Sequence, residues 1–169
     1  LASSEYNTRR LECEKGVAVL KKHYPEIKNL RDVSLDILKK HKNEFEGKVF
    51  DRCWYVVNEK IRVESACEDL KNNQPKSFGE KMYATHEGLS KNYEVSCKEL
   101  DFLVEESKKF DQVLGARMMG GGFGGCTINL VKETGVEEFV SGIDSAYQLA
   151  FNVKPEVYIA QIAEGSTKI

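Results

Sequence analysis

The sequence predicts an α+β domain, mostly helical, with a small antiparallel sheet. Three observations carry this: apolar residues recur at helical spacing over most of the chain, two alternating runs at 113–118 and 126–131 flank a glycine cluster, and a third apolar run lies at 157–162. At 169 residues the chain fits one domain of ordinary size, taken here as 1–169.

The first helix is expected to open with Ser3 or Ser4 as cap and to carry a stripe of Tyr6, Cys13, Val17, Leu20 and Tyr24. Pro25 and the polar stretch 29–32 close that unit, and Ser34 caps a short helix to about Lys40. A long helix follows, with Val49, Cys53, Val56, Lys60, Val63, Cys67 and Leu70 on one face, Trp54 and Ile61 widening it, and the Lys60 stem snorkelling. Residues 72–75 end it. Ser77 with Glu80, and Ser96 with Glu99, read as capping boxes for helices reaching Lys91 and about Lys109. Val136, Phe139, Val140, Ile143, Tyr147 and Ala150 mark the last helix, 157–162 a final strand, and 164–169 a loose tail.

The net charge of −2, with signs mixed, gives no basic footprint for nucleic acid and no polybasic patch for a membrane. No apolar run approaches the ~20 residues a spanning helix needs, and no signal-peptide pattern stands at the start. The five cysteines, Cys13, Cys53, Cys67, Cys97 and Cys126, are scattered without a C-x-x-C pair. They read as reduced, buried small hydrophobes of a cytoplasmic protein, and no metal site is assigned. His86, with Ser90 and Ser96 near it in sequence, reads as a surface or satisfied structural group. His23 and His41 follow lysines and read as solvated.

The glycine cluster is Gly120, Gly121, Gly122, Gly124 and Gly125, interrupted only by Phe123. Two readings stand. One is a hairpin turn, which needs only one or two glycines. The other is a concave nest of backbone N–H groups for phosphate oxygens, closing tightly because side chains are absent. The Walker pattern is missing, and the imperfect G-x-G-x-x-G leads into a strand where a dinucleotide fingerprint needs a helix.

Residues 116–127, ARMMGGGFGGCT, resemble the third, C-terminal glycine motif of the galactokinases, members of the GHMP small-molecule kinase superfamily. SEYNTRRLEC at 4–13 and NYEVSCKELD at 92–101 agree, in family order. The chain departs at Met119, where the family usually carries threonine or serine, and at Lys98, where proline is common. The resemblance implies a ferredoxin-like GHMP kinase C-terminal domain. It implies that Tyr6 hydrogen-bonds bound galactose, and that the glycine loop backs the phosphate region or braces a phosphate loop lying elsewhere. Arg9 and Arg10 fix the Tyr6 motif or face phosphate.

The family's sugar signature, phosphate loop, magnesium carboxylate and aspartate base do not occur in this sequence. No residue is therefore assigned as catalytic, an N-terminal catalytic domain is the expected partner, and the chain alone is expected to be inactive. The parent would transfer the γ-phosphoryl group of ATP to the C1 hydroxyl of D-galactose with Mg²⁺. A non-catalytic galactose and ATP sensor, or an N-acetylgalactosamine kinase, is the alternative.

Overall fold

The computed structural model describes residues 2–161. Six helices and one hairpin are present among them: α1 (Ala2–Lys21), α2 (Leu35–Lys40), α3 (Val49–Lys71), α4 (Pro75–Lys91), α5 (Lys98–Ser107), β1 (Val113–Met119), β2 (Cys126–Val131) and α6 (Val136–Phe151). β1 and β2 pair antiparallel, closing on Met119 opposite Cys126.

The first three helices enclose the largest apolar core. Leu20, Ile27, Leu30, Val33, Leu38, Val49, Cys53 and Val57 are buried together, with Phe50 stacked on Trp54 at its margin. Ser34 caps α2 as expected, its hydroxyl accepting from Ile37 N. A second cluster of Val95, Leu100 and Met118 lies beneath the hairpin, and a third of Val113, Phe139 and Ile143 joins the hairpin base to α6. α4 packs directly on β1, bringing Gly79 against Gly115.

Several expectations are corrected. The final strand does not form over 157–161, where Val157, Tyr158 and Ile159 are exposed. Alternation marks a chain able to pair, but a strand also needs a neighbouring edge. Residue 162 and the expected tail at 164–169 lie outside the described residues.

The α3 stripe holds only in its first half. Ile61, Val63 and Leu70 are 45–58% exposed, because α1 and α2 cover α3 only near its start.

Helix starts also differ. α1 is already helical at Ala2, ahead of the expected caps. α4 begins three residues early, capped at Gln74 rather than Ser77, with Pro75 at its first position, where a missing N–H costs nothing. Ser77 accepts from Lys81 Nζ at 3.0 Å instead of capping. At α5 the cap position belongs to Cys97, and Ser96 Oγ is buried without a partner.

The cysteines are all free, but Cys67 and Cys126 are exposed rather than buried. None of the described helices is long and apolar enough to cross a membrane.

Candidate functional site

The hairpin ends in a six-residue loop, Gly120 to Gly125, whose inner and outer sides differ. On the inner side a Cβ at Gly121 would overlap the Tyr6 ring and hydroxyl, and one at Gly122 would overlap the Val95 carbonyl oxygen. Gly122 also has φ +90°, which disfavours any side chain. On the outer side, a Cβ at Gly120 or Gly124 would meet nothing within 4 Å. Two of the glycines thus let the loop close on its own chain, while others turn an open backbone outward.

Tyr6 is half exposed on α1. Its hydroxyl donates to Gly122 O at 3.4 Å, and its ring meets Phe123 edge-on at 5.6 Å. Phe123, the one non-glycine of the run, sits at φ +59° and donates its N–H to Val95 O at 2.7 Å. Tyr6 and the glycine loop, far apart in sequence, therefore form one surface.

The segment between α4 and α5 completes it, held from behind by two buried guanidinium groups. Arg9 donates to Tyr93 O at 2.6 Å and Glu94 O at 2.8 Å. Arg52 donates to Asn92 O, to Glu12 Oε2 at 3.0 Å and to Glu94 Oε2 at 2.9 Å. Lys48 pairs with Glu94 as well. Lys48 first and Arg52 second pull the Glu94 carboxyl down to about 2. A planar fork reaching carbonyls and a carboxylate together fixes orientation as well as position. The clamp also holds Glu94 at φ +52°, an uncommon conformation for glutamate. Val95, presented by this segment, is the carbonyl that Phe123 binds. Arg10 takes no part; it is exposed and pairs with Glu14.

His86 is a satisfied structural group. Its Nδ1 accepts from Met118 N at 3.2 Å, its Nε2 lies 3.1 Å from Asp101 Oδ1, and Ser90 Oγ donates to Asp101 at 3.0 Å. Burial lowers its pKa, against the pull of Asp101. The relay ties α4 and α5 to β1 directly under the loop. Ser96 is not part of it.

Sequence reasoning missed Arg52, Glu94, Val95 and Phe123 as members of this surface. Phe123 carried a signal, as the lone side chain in a glycine run. Arg52 carried none, since one arginine inside an apolar helix reads as exposed.

The carboxylates placed here are already paired: Glu5 with Arg9, Glu12 with Arg9 and Arg52, Glu94 with Lys48 and Arg52. This surface consequently offers a ligand backbone groups and a phenol, while the two buried arginines and these carboxylates are occupied with one another and with the backbone of segment 92–94.

Residues 66–149 match the family described as GHMP kinases C terminal. Galactokinases of Clostridium perfringens and Thermosipho africanus are 39% and 37% identical to this chain over its whole length. The chain spans under half the length of these relatives, 44% and 46%. A crystal structure of Lactococcus lactis galactokinase complexed with galactose matches 98% of the chain and 43% of its own, with a TM-score of 0.89 and 32% identity. Residues 66–149 carry a GHMP kinase C-terminal domain, and the chain is similar over its whole length to part of these galactokinases.

Proposed function

We propose that this chain is the C-terminal part of a kinase that phosphorylates D-galactose at its C1 hydroxyl, using ATP and Mg²⁺ held mainly by an N-terminal domain. The observation that carries this reading is the convergence of Tyr6, the glycine loop and the segment 92–96 on one surface, in a chain similar throughout to galactokinases.

Tyr6 has the features of a sugar contact. Its ring is fixed by Phe123 on a half-exposed residue, and its hydroxyl is held by one long bond, which a sugar oxygen can replace. The outward glycines leave room for a phosphate or for the phosphate loop of the other domain to approach. The contribution of this part is positioning, a large share of catalysis in phosphoryl transfer. The chain alone makes no galactose 1-phosphate, and the intact enzyme works in the cytoplasm.

The test is Tyr6→Phe in a full-length protein carrying this chain. The ring contact survives and only the phenolic hydrogen bond is lost, so galactose KM should rise about 2- to 10-fold, equivalent to roughly 0.5–1.5 kcal/mol. Unchanged KM and kcat would remove Tyr6 from the sugar site.

A further inference from the structure

Away from this surface, three side chains meet at the far end of the first bundle. His23 lies in the turn after α1, His41 ends α2, and Glu44 follows in a single 3₁₀ turn. The two imidazoles stack with centroids 4.1 Å apart. One carboxylate serves both: His41 Nδ1 lies 2.6 Å from Glu44 Oε1, and His23 Nε2 lies 2.7 Å from Glu44 Oε2. One ligand atom from each of the three falls within 4.8 Å of the others.

We propose that His23, His41 and Glu44 form a binding site for a divalent transition-metal ion, with Zn²⁺ as the best fit. Two imidazoles and a carboxylate make a known three-ligand zinc set, which leaves one position for water. This donor set also separates the site from the Mg²⁺ of phosphoryl transfer, because Mg²⁺ prefers oxygen ligands and octahedral geometry while imidazole selects Zn²⁺, Co²⁺, Ni²⁺ or Cu²⁺. The ligands are largely preset. His41 is buried and held by stacking on His23 and an edge contact with Tyr24.

Entry is open, since His23 and Glu44 are exposed and Glu44 borders a solvent-open cavity of about 600 Å³. Two neighbouring lysines are turned elsewhere, Lys40 Nζ donating to the Tyr24 hydroxyl at 3.4 Å and Lys42 standing over the Phe50 ring, while Lys15, Lys22 and Lys48 line the cavity that Glu44 borders. A bound ion would tie the end of α1 to the connection between α2 and α3, stabilising the bundle by mass action.

The experiment titrates ZnCl₂ into the full-length protein in a Cys67→Ser/Cys126→Ser background, which removes the two exposed thiols. Binding is read by calorimetry and thermal denaturation, and Co²⁺ in place of Zn²⁺ gives a visible spectrum. Expected are one saturable site, a rise in Tm with Zn²⁺ that excess Mg²⁺ does not abolish, and Co²⁺ bands of low coordination number. His23→Asn and Glu44→Gln, both at exposed positions, should each weaken binding beyond the roughly 10–100-fold caused by losing an outer-shell partner. Absence of a saturable site, or an affinity within about 100-fold of wild type in either variant, would overturn the proposal.

Discussion

The first bundle and the hairpin surface are held together by different physics. In the bundle, eight apolar residues from Leu20 to Val57 are buried against one another. Beneath the hairpin the buried cluster is smaller, Val95, Leu100 and Met118, and the position of the surface above it is set by Arg9, Arg52 and His86 as well. Burial of apolar surface is non-directional, so it secures a core without fixing where any one carbonyl points. Charge-assisted hydrogen bonds to backbone oxygens do fix that. The surface proposed to meet substrate is the one built with directional contacts.

The contrast is broken most severely by deleting one member of each class. Leu20→Ala, at a fully buried position, should cost about 3 kcal/mol of stability, while galactose KM per folded molecule stays the same. Arg52→Met should cost a similar ~3 kcal/mol, the low end for breaking a buried pair because Glu94 keeps access to water. Unlike the core variant it should also raise galactose KM, by freeing segment 92–96. Urea unfolding with kinetics at 25 °C separates the two; equal kinetic behaviour would erase the distinction.

Gly122→Ala is next in size. The added Cβ meets the Val95 oxygen at a φ of +90°, so the Phe123–Val95 bond must give way, at about 1–3 kcal/mol. Hydrogen exchange at the Phe123 amide should accelerate well before global unfolding does. Protection equal to wild type would show that the loop does not depend on that close approach.

Acid titration sharpens the comparison further. Glu94, held to about 2 against an ordinary 4.5, contributes stability that is complete above about pH 4.5 and is lost as pH falls through about 2. Between pH 5 and 3, therefore, Glu94→Gln should show a flatter stability curve than wild type. His86 is held neutral by burial, so its contribution is complete above its ordinary 6.5 and declines as pH falls through the lower folded value. His86→Asn retains an acceptor for Met118 N and should remove the slope just below that pH. Parallel curves for wild type and both variants would remove these groups from the account.

How much was legible in the sequence follows the same division. Periodicity found the helices, the hairpin and Ser34, because local pattern and capping chemistry act within a few residues. It overextended the α3 stripe, since Val63 and Leu70 obey the period and lack a covering element. It drew a strand at 157–162 for the same reason, and residues 157–161 form none. His41 read as solvated from its lysine neighbours, yet it is buried against His23 and Tyr24. The expected contacts Tyr6 and the glycine loop do meet, but their common support, Arg52 and Glu94, comes from residues whose partners lie about forty positions away. Long-range polar pairing leaves no period to read.

The central claim, that Tyr6 and the glycine loop act as one element of a sugar site, is tested most directly by a double-mutant cycle in the full-length protein. Tyr6→Phe and Gly121→Ala are made singly and together, and kcat/KM for galactose is measured per folded molecule. The Cβ of Gly121→Ala falls on the Tyr6 ring end and hydroxyl, so removing the hydroxyl should relieve part of the alanine's effect. The account predicts a coupling of at least about 0.5 kcal/mol. Effects that add within experimental error would contradict it.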